Sequence, residues 1–460
     1  MTVDKPRSQW RPWRRFATVT AVAALGVPVT AYASSGGAAG DGARAARVTA
    51  QSVATGDDAS SASSAASAAS ASSASSASSA ASAASRMVSY RGYTFEVPGS
   101  WRVVNLAADK QTCVRFDRHA VYLGRPASNQ SCPGRLVGTT ESVLIQPGPR
   151  SITVSSTEDP VARQITVTAP NIRVTATYDG HRSQVGEILA SAALPAPVAD
   201  MPHPVRASAR AGLSLSAKLA DYHGPGLDAC AAPSASYMSA WRRLSSYRAI
   251  GVYIGGSDRA CAQPNLTAGW IRAQAAAGWH FMPMYVGPQA EFGQLGRHPG
   301  HQGRAAANDA VAAAEGLGLG PGTPLYYDME AYAPGQAHAA LAFLSSWTSR
   351  LHALGYSSGV YGSSGAGVGY LARQYFTRKY AIPDVIFDAL WNGEPNTADS
   401  VLRSGEWTGR RVHQYQGNVV RSYGGDAMEI DEDFLNVQLP ARASAARHTG
   451  HAVHVRQDAS

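Results

Sequence analysis

The stretch PLYYDMEAY, residues 324–332, runs from an apolar-aromatic core, Leu325-Tyr326-Tyr327, into two carboxylates, Asp328 and Glu330. Side chains alternate along a strand, so Asp328 and Glu330 project to one side and Met329 to the other. D-x-E is a common triplet, and taken alone it reads equally well as the polar end of an ordinary strand. Its neighbours along the chain decide between the two.

Working outward, strand candidates recur on both sides: GPGLDAC, AIGVYIGG and HFMPMYVG before it, YSSGVYG, DVIFDALWNG, RVHQYQG and MEIDEDF after it. Helical stretches such as SASYMSAWRRLSSY, NLTAGWIRAQAAAG, RAAANDAVAAAEGLGL and AHAALAFLSSWTSRLHALG separate most of them. Eight apolar strand cores alternating with helices over residues 213–440 predict an α/β fold, a (β/α)8 TIM-type barrel with irregular last crossovers. PLYYDME is then its fourth strand. A doubly wound open sheet is the alternative, but no G-x-G-x-x-G follows the first strand, and the last strands succeed one another too closely for full βαβ units.

Ahead of the barrel, residues 86–195 contain short alternating runs broken by Gly, Pro and Asn (YTFEVP, AVYLG, ESVLIQP, SITVSS, QITVTAP, IRVTATY). They predict a small β-rich domain, and no chemical motif stands out in it. Residues 1–33 place a basic stretch, an apolar run and AYA in the order of a secretory signal peptide, with Arg14-Arg15 admitting a twin-arginine variant. A Ser/Ala-rich segment, 34–85, supplies no apolar stripe and reads as a flexible tether; 196–212 is a second linker and 441–460 a disordered tail. No other stretch approaches the ~18 continuous apolar residues of a membrane span.

Of the 460 residues 16% are charged, with a formal net charge of +8. That weak excess suits an anionic wall polymer and falls short of a nucleic-acid-binding signature. The four cysteines fit an oxidising compartment and allow three pairings. The local one, Cys113 with Cys132 and Cys230 with Cys261, is the expectation, and four buried thiols are the alternative. Neither pair has C-x-x-C spacing, which argues against zinc or thioredoxin-type chemistry.

Active sites of such barrels lie at the C-terminal ends of the strands. The polar groups there are Asp228, Tyr253, Tyr285, Asp328, Glu330, Tyr361, Asp388, Trp391, Asn392, Gln414, Gln416, Asp431 and Asp433. Two carboxylates as close as Asp328 and Glu330 raise each other's pKa, so one can stay protonated while the other is anionic, the two states glycoside hydrolysis needs. The aromatic rings of Tyr253, Tyr285, Tyr361 and Trp391 suit either sugar stacking or the barrel core. Asn392, Gln414 and Gln416 suit sugar hydroxyls or an N-acetyl group, though a buried amide satisfied by a neighbouring strand is an equal reading. No His pair at ligand spacing accompanies the acids, so neither a metal nor another cofactor is expected.

Through GLDACAAPSASYMSAW, YRAIGVYIGG, CAQPNLTAGWI, GWHFMPMYVGPQA, LYYDMEAY, GVYGS, ALWNG, HQYQGN and IDEDF, residues 221–440 resemble a glycoside-hydrolase-like domain of secreted actinobacterial proteins. That domain is similar to the barrel of glycoside hydrolase family 25 muramidases. The resemblance implies Glu330 as general acid/base, Asp328 as a group that orients or stabilises a charged intermediate, and Asp228 and Asp431 as positioning groups. It also implies action on peptidoglycan or another N-acetylated wall glycan outside the cell. ALWNGEP and HQYQGN are loose counterparts of the muramidase strand ends, which leaves a non-catalytic glycan-binding module as the second reading.

Overall fold

The structure, a computed structural model, describes residues 85–150, 153–197 and 220–439. The signal-like segment, the tether as far as residue 84, the linker from 198 to 212 and the tail from 441 lie outside the described residues. The β-rich part and the barrel fall within one compact unit, Ser78–Ser460.

The β-rich part opens with a hairpin of β1 (Ser85–Tyr90) and β2 (Tyr93–Pro98). A six-stranded sheet follows, built from β3 (Arg102–Asn105), β4 (Ala120–Leu123), β5 (Ser142–Pro147), β6 (Ser155–Asp159), β7 (Gln164–Ala169) and β8 (Ile172–Thr177). Its strand order is β3-β4-β5-β8-β7-β6, and α1 (Arg182–Ser191) follows the last strand. Alternation in β7, where Ile165, Val167 and Ala169 are buried and their neighbours are not, turns one face toward a core shared with Phe95, Trp101, Ile188 and Leu189.

The barrel closes in the order β10-β11-β12-β13-β14-β15-β16-β9. Its strands are β9 (Tyr222–Asp228), β10 (Ala249–Gly255), β11 (His280–Tyr285), β12 (Pro324–Asp328), β13 (Ser357–Ser363), β14 (Val385–Ala389), β15 (Arg410–Tyr423) and β16 (Asp426–Val437). Between them lie α2 (Ala235–Leu244), α3 (Ala268–Ala276), α4 (Pro299–Gly316), α5 (Ala337–Ala353) and the short α6 (Gly369–Gln374). Local chemistry starts two of these helices: Ser234 and Thr267 accept the backbone N–H groups of Tyr237 and Trp270, at 3.3 and 3.1 Å. Small residues of α4 (Gly303, Ala306, Ala307, Ala310) let it pack closely against α5, which buries Phe343, Leu344 and Trp347.

The last crossovers are irregular in a specific way. No helix joins β14 to β15, and β16 runs antiparallel to both β15 and β9. Gly424 and Gly425, with φ of 67° and 86°, close the β15–β16 hairpin in a two-residue turn that requires the left-handed region. Asp431 therefore sits opposite Asp228 in mid-strand, on a chain entering the barrel from the mouth, rather than at the C-terminal end of a parallel strand.

The structure forms both local disulfides, Cys113–Cys132 and Cys230–Cys261, and they touch, with the sulfurs of Cys113 and Cys261 3.8 Å apart. Around them the loop after β10 stitches the two parts together by backbone pairing. Phe116 donates to the carbonyl of Ala260 (2.7 Å), Ala262 to Val114 (3.1 Å) and Gly138 to Asp258 (2.8 Å).

Inside the β-rich part, buried Glu141 accepts the backbone N–H groups of Asp179, Gly180 and His181 at 3.1, 3.1 and 2.9 Å, just before α1. Burial alone would raise its pKa; these N–H groups outweigh burial and lower it to about 2. A depressed carboxylate stabilises the fold above its unfolded pKa and loses that contribution as pH falls through the folded value. Glu141→Ala is expected to destabilise by about 1–3 kcal/mol at neutral pH. In urea denaturation the deficit against wild type should shrink between pH 4.5 and about 2.

Candidate active site at the barrel mouth

Strand alternation divides the barrel into an apolar floor and a polar mouth. Ala249, Met282, Met284, Tyr326, Val385, Phe387, Val412, Leu435 and Val437 fill the lumen. Further along the same inward-facing rows stand Tyr253 with Asp228, Asp328 after Tyr326, Tyr361, Gln414 after Val412, and Asp433 and Asp431 beyond Leu435. Met329 faces the helix layer, so Asp328 and Glu330 share the lumen side.

A continuous set of hydrogen bonds crosses this layer. The Tyr253 hydroxyl donates to Asp228 Oδ1 (2.8 Å) and Gln414 Nε2 to Asp228 Oδ2 (2.9 Å). Gln414 Oε1 in turn accepts from the Tyr361 hydroxyl (3.1 Å) and Trp391 Nε1 (2.9 Å). The three contacts of Gln414 fix which way its amide points. The backbone N–H of Asn418 donates to Asp431 Oδ1 at 2.7 Å. Gln289, in the loop after β11, clamps the D-x-E strand end: its Nε2 donates to the Asp328 carbonyl (2.8 Å) and its Oε1 accepts the Glu330 N–H (2.9 Å).

The cation of the site comes from outside the barrel. Arg135, three residues after Cys132, reaches over the mouth and donates from Nη2 to Glu330 Oε2 at 2.9 Å and from Nη1 to the Tyr361 hydroxyl. Its guanidinium carbon lies 5.4 Å from the centre of the Tyr361 ring. Gly134 permits this approach, because a Cβ there would lie 2.9 Å from Asp431 Oδ1 and 3.2 Å from the Ile430 carbonyl carbon. The strap carrying Arg135 is held on one side by the Cys113–Cys132 disulfide. On the other it is held by Val137, Gly138 and Thr139, which pair with the loop after β10.

Burial dominates the electrostatics. It raises Asp228 to about 7, with Asp431 adding to the shift, and raises Asp328 well above the usual carboxylate range, with Glu330 adding. Asp433 goes well up by burial with Asp228 and Asp431, and Asp431 and Glu330 are raised by burial. Arg135 opposes the rise at Glu330, and the contact between the two carboxyls raises Asp328 while lowering Glu330. Arg135 therefore favours the anion on Glu330, while Asp328, fully buried and raised further by its neighbour, is the member held more strongly toward its protonated form. Among the described residues no donor reaches either Asp328 oxygen.

In front of the pair lies a cavity of about 350 Å³ lined by Arg135, Glu330, Tyr361, Ser363, Ser364 and Trp391, among others. Asp228, Asp328 and Asp431 lie beneath it rather than on its wall. Trp391 is 53% exposed beside it. Other residues singled out from sequence fall elsewhere. Tyr285 faces the helix layer, where its hydroxyl donates to Asp309 at 2.7 Å, so it forms no wall of the mouth. Asp388 also points outward, and burial and neighbouring Asp399 raise it to about 9. Gln416 is exposed, because a bulge between it and Gln414 breaks the alternation that would have put both on one face. Asn392 is exposed beyond the strand and accepts the Glu394 N–H. Tyr253 and Gln414 hold Asp228 from below instead of offering a surface. Among the described residues, the metal-ligating side chains gathered closely enough to share an ion are Cys113, Cys132 and Cys261, all in disulfides; the four acids are not among them.

Sequence reading missed Arg135 and Gln289. Arg135 lies in a segment with no motif, and its one signal is SCPGR, a cysteine-anchored turn with a glycine beside a charge. No motif marked the β-rich part, yet it contributes this guanidinium to the mouth.

The mouth places paired carboxyls at the fourth strand end of a closed eight-stranded, irregular (β/α)8-like barrel. The sequence profile of a family described as Rv2525c-like, glycoside hydrolase-like domain, matches residues 239–435. Among solved structures, an uncharacterised protein of B. stearothermophilus is similar at 19% identity and a TM-score of 0.33, covering 46% of this chain and 95% of that one. The catalytic domain of endolysin ply40 from bacteriophage P40 of Listeria monocytogenes is similar at 15% identity and a TM-score of 0.31, over 46% and 93%. The modular autolysin LytC of Streptococcus pneumoniae is similar at 9% identity and a TM-score of 0.31, over 61% and 57%. At these scores the structural likenesses carry no argument about what this chain does. No curated protein matches the sequence.

Arg135→Ala leaves the mostly buried Glu330 without its cation, and is expected to destabilise the protein by about 1–3 kcal/mol at pH 7. Protonation relieves that strain, so the loss should be smaller at pH 4.5. Chemical denaturation at the two pH values checks it, and an equal loss at both would assign the effect to packing rather than charge.

Proposed function

We propose that this chain is a secreted protein that binds a cell-wall glycan, peptidoglycan or a related amino-sugar polymer, and hydrolyses its β-glycosidic bonds with the Asp328–Glu330 pair. The observation that carries this reading is the pair itself. Two carboxyls share one side of a strand end: Glu330, held toward the anion by Arg135, on the wall of a pocket, and Asp328, biased toward its protonated form, buried behind it. Glycoside hydrolysis uses those two states, an acid for the leaving oxygen and a carboxylate facing positive charge at the anomeric carbon. Glu330 lines the pocket and is the member that meets substrate, in the general acid/base role; Asp328, behind it, exchanges a proton with it. When the Arg135 side chain turns away, burial favours protonating Glu330, which arms it as the acid. Asp228 and Asp431 position the layer from beneath, and the exposed face of Trp391 offers a pyranose ring an apolar surface. The profile match to a glycoside-hydrolase-like domain supports the class of chemistry. The signal-like N-terminus and the two disulfides support an extracellular setting. Among the described residues no helix is long and apolar enough to cross a membrane.

One observation favours a second reading, a glycan-binding module without turnover. Arg135 pins Glu330, and Asp328 does not reach the pocket wall. Purified protein incubated with wall material separates the two. Release of reducing ends that falls at least about 100-fold in Glu330→Gln, with an unchanged circular dichroism spectrum, supports hydrolysis. Saturable binding with no product, weakened about tenfold by Trp391→Ala, supports the binding module. A Glu330→Gln variant as active as wild type would sink the acid/base assignment.

A further inference from the structure

Arg135 marks a position as well as a contact. Its guanidinium lies where the Glu330 carboxylate and the face and hydroxyl of Tyr361 converge, and behind them Asp328 is fully buried with no donor among the described residues reaching its oxygens. The acids raise the Arg135 pKa even though burial opposes this, so the place selects positive charge. The side chain is 24% exposed and borders the 350 Å³ cavity, so it can swing out without moving the strap that carries it. A cationic ligand that takes its place keeps Glu330 ionised and pairs with it, whereas a neutral one leaves Glu330 to take up a proton and forgoes that ion pair.

We propose that the barrel mouth contains a cation subsite, filled by Arg135 in the free protein, that receives the free ammonium of a de-N-acetylated amino sugar. Its elements are Glu330, Tyr361 and the Asp328 carboxyl behind them. The ammonium of a 2-amino-2-deoxy sugar pairs with Glu330 and rests against the Tyr361 face, while the ring packs beside Trp391. An N-acetylated unit offers an amide N–H in place of the charge and leaves Glu330 under-compensated. The wall polymer this favours is therefore one carrying free amines along its chain. The inference rests on the glycan reading above but not on turnover, since a binding module would show the same preference.

The test uses the full chain at low salt, with glucosamine and N-acetylglucosamine oligomers of equal length as probes in calorimetric titration. Wild type is expected to bind the glucosamine oligomer at least about tenfold more tightly than the acetylated one. Arg135→Ala vacates the position and should strengthen the glucosamine oligomer by a further factor of about ten while moving the acetylated one by less than about twofold. Arg135→Lys keeps the cation and should show no such gain. Glu330→Gln should erase the preference. Methylguanidinium provides a readout independent of sugar: it should raise the melting temperature of Arg135→Ala saturably, and neither that of wild type nor that of Arg135→Ala/Glu330→Gln. Absence of that stabilisation overturns the cation subsite. Equal or tighter binding of the acetylated oligomer overturns the amino-sugar assignment. If methylguanidinium stabilises Arg135→Ala but neither oligomer binds, the assignment falls together with the glycan reading, and only the cation subsite stands.

Discussion

One guanidinium faces a mouth in which Asp228, Asp328, Glu330, Asp431 and Asp433 are all largely buried. In a barrel whose floor is apolar, these carboxyls have little water to solvate them, and neighbouring acids raise Asp228, Asp328 and Asp433 further. Two devices make the arrangement tenable. Burial biases the deepest acids toward their protonated forms, and Arg135 supplies charge where the outermost one ionises. The split of the Asp328–Glu330 pair into an acid and an anion follows from which of the two the guanidinium touches, not from the D-x-E triplet.

That dependence runs back into the fold. Arg135 can hold its position only because the strap is fixed before and after it, by a disulfide on one side and by backbone pairing to the loop after β10 on the other. The same loop carries Cys261, whose disulfide to Cys230 packs against Cys113–Cys132. The β-rich part and the barrel are thereby joined at the point where the site needs them joined, and the site belongs to both.

What the sequence disclosed follows the same physics. The barrel was legible because its strand cores and helices alternate at distinct periods, and Asp328, Glu330, Asp228 and Asp431 were legible because each follows or sits within an apolar strand core whose alternation aims it inward. Tyr285 was not, since HFMPMY is buried on both faces and a continuous apolar run hides its phase; Met284 looks into the lumen and Tyr285 away from it. Gln416 was lost to a bulge that no single sequence announces, and the direction of β16 to a two-glycine turn. Arg135 was hidden for a different reason. Its partner Glu330 is 195 residues away, and no periodicity links a strap to a barrel.

The placement of that partner also bears on how a reactive mouth stays folded. An acid pair open to solvent would keep ordinary pKa values and lose the proton it needs, while one buried without a cation would protonate fully and lose the anion. Covering the pair with a flexible side chain instead of a packed residue avoids both outcomes, because an arginine can screen the inner carboxyls, hold the outer one charged and still exchange with a ligand of like charge. A lumenal lysine or arginine on the barrel strands themselves would have to displace the apolar floor or the Gln414 contacts to reach Glu330. Supplying it from a separate, covalently anchored strap leaves the strand alternation intact, and the β-rich part thereby becomes a component of the site.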